Sequence, residues 1–195
     1  MIFLPFFSQF SPDADSILGG GKGLAAHVQV GTWWHGVRVQ YGSDNGLGVI
    51  LEAQSALLKR WQPSIGVFSV WHDGGVRITG SMLGGWLIQE GTQPWFGPSA
   101  EFRVQIARGQ GKIRPWLLLS TKHSFGYLQS IYKSSEGDIV EQELQHEWSL
   151  PGALGVTFRV HGAWDIGLGL DLPWVNVPSI TIPGAHLSVA YRGQR

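Results

Sequence analysis

The chain has 195 residues, enough for one domain or one small barrel, and its 14 Lys+Arg and 14 Asp+Glu cancel to a formal charge of zero. That balance offers no basic excess for a nucleic-acid partner, and the absence of cysteine excludes disulfides, thiol chemistry and Cys-based zinc sites. Charged residues make up only 14%, against about 25% in ordinary soluble domains, while Gly (28) and Trp (10) are abundant: this suits a chain whose outer face meets lipid.

Residues 1–23 read as an N-terminal arm or hinge. Phe3, Phe6, Phe7 and Phe10 precede Ser11-Pro12-Asp13 and a Gly19-Gly20-Gly21 hinge. The first seven residues are apolar without a basic n-region or a small-x-small cleavage site. They read either as a mature-chain segment or as the remnant of a longer precursor.

Residues 24–195 read as a single β domain. Ala26, Val28 and Val30 alternate with His27 and Gln29. Val37, Val39 and Tyr41 alternate with Arg38 and Gln40, and Gly31 to Gly42 reads as one continuous run through Trp33-Trp34. Ser43-Asp44-Asn45-Gly46 is a hairpin turn, because Asn and Gly tolerate positive φ. Leu47 to Gln54 alternates again, and Lys59 to Pro63 is expected to be a link. A strand over Ile65–Trp71 then meets a tight turn at His72-Asp73-Gly74-Gly75. Val76 and Ile78 follow, facing away from Arg77, and residues 91–98 are expected to form a long loop. The cleanest run sets Phe102, Val104 and Ile106 against Glu101, Arg103 and Gln105. Ile113 to Thr121 is a blurred strand, and 123–138 a hairpin or loop. Glu141, Glu143 and Glu147 share one face of the next run.

Residues 153–172 place Leu154, Val156, Phe158, Val160, Trp164, Ile166, Leu168, Leu170 and Leu172 on one face. Gly155, Thr157, Arg159, His161, Asp165, Gly167, Gly169 and Asp171 occupy the other. A period of two is a strand period. One greasy face and one polar or empty face, repeated along the chain, imply lipid outside and a polar interior. No stretch suits a membrane helix: the longest segment free of acidic and basic residues, Leu172 to Tyr191, contains Pro173, Pro178 and Pro183. The expected fold is all-β, a closed antiparallel up-and-down transmembrane β-barrel. Eight strands are expected at this length, with ten or twelve the alternatives. The final alternating run, Leu187, Val189 and Tyr191, with the pattern from Leu24 to Arg192, resembles small bacterial outer-membrane barrels such as the outer membrane protein A, W and X families. That resemblance implies a bacterial outer-membrane location and a structural, adhesive or partner-docking role without catalysis.

The polar positions expected to line the lumen are Arg38, Glu52, Arg77, Glu101, Arg103, Glu141, Glu143, Glu147, Arg159, Asp165, Asp171 and Arg192. Their mixed signs favour mutual pairing over an open pore, since an unpaired buried charge is costly and a small barrel encloses little more than its own side chains. All ten Trp read as falling near run ends or loops, as an interfacial girdle would; the aromatics assigned to it are Trp33, Trp34, Trp71, Trp86, Trp148, Trp164, Trp174 and Tyr191. Outer-membrane lipid is the expected partner, with an envelope protein at residues 1–23 or the loops. No metal or cofactor is expected.

Two other readings compete. Gly31-Thr32-Trp33 resembles the Gly-x-Trp motif of lipocalins, soluble barrels that bind small hydrophobic ligands. That reading turns Phe102, Val104 and Ile106 inward. Ser120, His123 and Ser124 lie close in sequence, which raises a lipid-modifying barrel enzyme; Ser must then reach a His oriented by an acid. A narrow outer-membrane channel is the remaining variant.

Overall fold

Alternation drives this chain into strands that cannot satisfy their backbone groups alone, and a closed ring satisfies them without leaving an edge. A computed structural model describes residues 23–32, 34–43, 45–56, 60–90, 95–108, 111–134, 137–172 and 184–192. The expected arm over 1–23 lies outside the described residues except for Gly23.

Eleven strands are described: β1 (Gly23–Gly31), β2 (Trp34–Gly42), β3 (Leu47–Ala56), β4 (Arg60–Asp73), β5 (Val76–Gln89), β6 (Trp95–Arg108), β7 (Ile113–Ser134), β8 (Gly137–Ser149), β9 (Gly152–His161), β10 (Trp164–Leu172) and β11 (Gly184–Arg192). Each pairs antiparallel with its neighbours in the order β6-β5-β4-β3-β2-β1-β11-β10-β9-β7, and β6 pairs with β7 to close the ring. The ring therefore holds ten strands rather than the expected eight. Summed once round it, the partner registers shift by about 12 residues, which for ten strands tilts each strand by about 40°.

The eleventh strand, β8, pairs only with β7 and stands outside the ring. Its register continues that of β9: Lys122 faces Ser149, and Leu119 faces Gly152. β8 and β9 thus form one path along β7, broken at Leu150-Pro151. Ser120 N–H donates to the Pro151 carbonyl at 2.9 Å; the reciprocal bond is missing because proline has no N–H. The 22-residue β7 carries this hairpin past the end of β10.

The start of β1, the end of β11 and the turns β2–β3, β4–β5, β6–β7 and β9–β10 lie at one mouth, the chain-end mouth; the opposite ends of these strands form the other. Among the described residues, the glycines with positive φ are Gly46, Gly74, Gly75, Gly111 and Gly162, all in the chain-end turns. Gly74 and Gly75 make a two-residue hairpin loop between the partners Asp73 and Val76; positive φ at both is what a type I′ turn requires.

Four boundaries differ from expectation. Residues 31–42 are two strands, because Thr32 turns and locks to β11: its N–H donates to Ala185 O at 2.9 Å and its hydroxyl accepts from Ala185 N–H at 3.1 Å. β4 begins at Arg60, inside the expected link, and its pairing with β5 lapses around Pro63, which cannot donate. Trp95–Pro98 belong to β6 instead of a loop. β7 runs on to Ser134, through the segment expected to be a hairpin or loop.

Candidate functional site: a cross-braced lumen

Arg38 on β2 and Glu52 on β3 face each other across one ladder rung, and Arg38 Nε donates to Glu52 Oε2 at 3.1 Å. Arg103, on β6, reaches the same carboxylate from three strands away. Its Nη1 and Nη2 donate to Glu52 Oε2 and Oε1 at 2.8 and 2.7 Å, while Nε and Nη2 donate to Glu101 Oε1 and Oε2 at 2.7 and 2.9 Å. Gln54 donates to Glu52 as well. Arg103, 3% exposed, is thus forked onto a carboxylate on each side, the geometry that suits a planar guanidinium. Two arginines and two glutamates balance in charge, which a low-dielectric interior demands.

Two further braces run the same way. Lys122 on β7 donates to the Gln62 carbonyl on β4, and the Gln62 amide donates to Ser99 on β6 at 3.3 Å. Arg60 on β4 reaches Glu147 on β8 at 2.7 Å. At the chain-end mouth, Asp165 is fully buried and takes three arginines: Arg114 at 2.7 Å, Arg192 at 3.2 Å and Arg159 at 3.5 Å. His186 Nδ1 and Asp171 Oδ1 meet at 3.0 Å on neighbouring strands β11 and β10.

The interior also holds aromatics over glycines. Trp116 is buried and stacks with His186 at 5.8 Å between ring centroids. A Cβ on Gly155 would lie 2.5 Å from the Trp116 ring, and one on Gly169 would lie 2.2 Å from His186 Nε2. Trp95 covers Gly126 in the same manner. These glycines supply absent side chains, so that a large ring lies flat against the wall.

Of the residues expected to line the lumen, Arg38, Glu52, Arg77, Glu101, Arg103, Asp165 and Asp171 are buried. Arg192 is half-buried, and Arg159 lies exposed at the mouth while still facing Asp165. Glu147 is half-buried under Arg60. Glu143 is exposed, because β8 stands outside the ring. Glu141 shares its strand, and its side chain lies outside the described part. Sequence reading missed the inward Arg60, Arg114 and Lys122, all buried, whereas His27 and His186, which alternate with outward residues in sequence, are buried as that alternation implies. Arg60 fell in an expected link. Arg114 and Lys122 keep strict alternation with Trp116, Leu118 and Ser120, a signal masked by the run Leu117-Leu118-Leu119.

The girdle divides in the same way. Trp71, Trp164 and Tyr191 are exposed towards the chain-end mouth, Trp86 and Trp148 towards the other. Trp33, Trp174 and the side chain of Trp34 lie outside the described residues. Trp95 and Trp116 depart from the expectation for all ten Trp: they point inward. Ser120 and Ser124 are buried, whereas His123 is on the opposite face of β7, within 3.1 Å of Thr121 Oγ1 and His146 Nε2. That serine–histidine set is not assembled. Phe102, Val104 and Ile106 are 47, 50 and 42% exposed while Arg103 is buried, the reverse of the inward placement a lipocalin-like barrel requires.

A closed ring with an apolar exterior and a charged, braced interior defines a transmembrane β-barrel. No family model and no curated protein matches the chain. Among solved structures it is similar to outer-membrane barrels. The N-terminal β-barrel domain of Pseudomonas aeruginosa OprF shares 11% identity, over 89% of this chain and 99% of that one, with a TM-score of 0.44. Ail, the attachment invasion locus protein of Yersinia pestis, shares 13% over 89% and 99%, TM-score 0.42. Neisserial surface protein A shares 12% over 89% and 96%, TM-score 0.39.

Proposed function

We propose that this chain is an integral protein of the bacterial outer membrane whose barrel is a closed strut instead of a pore, and whose β7–β8 hairpin is a docking element for an envelope or extracellular partner. The observation that carries the reading is the double fork of Arg103 between Glu101 and Glu52, which ties β6 to β3 inside the lumen. A conducting barrel would need that chord broken, and a buried charge separated from its partners is strongly unfavourable. Short turns at one mouth correspond to the periplasmic side of known barrels, and the longer β7–β8 hairpin at the other to the outer side. This orientation sends the hairpin outward.

Planar-bilayer recording tests the closed strut. The native chain is expected to give no steps of the size a general porin gives, and Arg103→Ala is expected to give flickering openings. Porin-like conductance of the native chain would refute the closed lumen. The docking role is tested by fishing envelope partners with the native chain and with a chain lacking the distal hairpin. Identical partner sets would refute it.

A further inference from the structure

The chain-end mouth is basic along one continuous arc. Arg108 ends β6 as the last member of the outward row Phe102, Val104, Ile106, and is exposed. Lys112, exposed in the next turn, accepts a backbone bond from Arg159 at 2.9 Å. Arg159 is exposed on β9, and Arg192 closes the arc on β11, donating to Gly162 O at 3.0 Å and to Asp165. Beneath them the buried Asp165 faces Arg114, Arg159 and Arg192. Among the described residues of this mouth, the exposed acid is Asp73, in the β4–β5 hairpin on the other side of the ring. Directly beside the arc, on the outer wall, lie Ile113, Val160 and the paired rings of Trp164 and Tyr191, 5.0 Å apart.

The arc and the aromatic rings together have the layout of a lipid headgroup site. Trp and Tyr settle at the level of the headgroups, and guanidinium groups at that level meet phosphate oxygens with matching fork geometry. At the opposite end β8 carries the acidic Asp138, Glu141, Glu143 and Glu147. We propose that the arc Arg108–Lys112–Arg159–Arg192 binds the phosphates of anionic phospholipids in the leaflet facing the chain ends. This rests on the membrane reading above. The two fail separately: failure of that reading would stop insertion into any vesicle, whereas failure of this one leaves insertion intact and removes only the lipid preference.

The test uses the full chain reconstituted into vesicles of phosphatidylcholine alone or with 30% phosphatidylglycerol. The lipid shell is read by energy transfer from Trp164 and its neighbours to labelled lipids. Each cation near an anionic surface is worth about fivefold in affinity, so at low salt phosphatidylglycerol is expected to be preferred over phosphatidylcholine about fivefold at a shell position, filling about two thirds of the shell, and less at high salt. The triple variant Arg108→Gln, Lys112→Gln, Arg159→Gln is expected to lower that preference to twofold or less while inserting normally. Equal occupancy by the two lipids, or an unchanged preference in the triple variant, would overturn the proposal. So would full displacement by millimolar inorganic phosphate, which would mark a site for small anions instead of a lipid surface.

Discussion

Arg103→Ala leaves Glu52 with Arg38 and Gln54 and removes the guanidinium forked onto Glu101 in the barrel interior. Removing one member of a buried ion pair costs about 3–5 kcal/mol, and urea titration of the folded barrel in detergent micelles, followed by Trp fluorescence, is expected to show a loss of that size. The glycines give a contrast of sign. Gly155→Ala pushes a methyl against the Leu168 carbonyl and the Trp116 ring, and overpacking of this kind costs about 1–3 kcal/mol. Gly84→Ala, on the exposed outer wall with no atom within 4 Å of the new Cβ, is expected to be neutral or to gain about 0.5 kcal/mol by restricting the unfolded chain. The same urea titration distinguishes the two. At this scale the sequence showed which residues face inward wherever alternation was clean, as at Glu101 to Ile106. It did not show who pairs with whom, because Arg103 and Glu52 are 51 positions apart and only the ring's closure brings them together. Nor did it separate the inward Trp95 and Trp116 from the outward rings, since a Trp near a run end has the same sequence context on either face.

The β7–β8 hairpin is an element that the ring does not need. Its distal part pairs only with itself, and β9 takes up β7 again at Gly152. Replacing Gln129–Gln142 by Asn-Gly joins Leu128 to Glu143, which already face each other, through a turn suited to hairpins. The shortened chain is expected to keep the native barrel's heat-dependent mobility on gels; loss of that band would mean that the hairpin belongs to the ring. Strand limits were only partly readable for a physical reason. Thr32 turns the chain through bonds to a residue on β11, a long-range cause with no local signature. Pro63 and Pro98 suggested loops, yet both sit on the outer wall of strands that tolerate a missing donor at isolated rungs.

For the molecule as a whole, the direction of the two faces is the property that matters. Val104→Arg puts a guanidinium on the outer wall and is expected to cost about 2–4 kcal/mol in lipid bilayers if it lies near the midplane. Refolding titrations in liposomes measure this. The barrel class was legible because composition and alternation agreed: few charges, many glycines, and apolar side chains on every second position. The strand number was not, because length alone cannot distinguish eight tall strands from ten shorter ones with one hairpin outside the ring.

The seam between the first and last strands of the ring sets the order of events in folding. Ala25–Gly31 pair with His186–Arg192, so the final ladder joins positions about 160 residues apart. The entropy of closing so long a loop must be met before that ladder returns anything. Until then β1 and β11 each show a row of unpaired donors and acceptors, an invitation to associate with other chains. The growing sheet is therefore exposed at two edges until its last step, and a factor that occupies either edge would govern when the ring shuts.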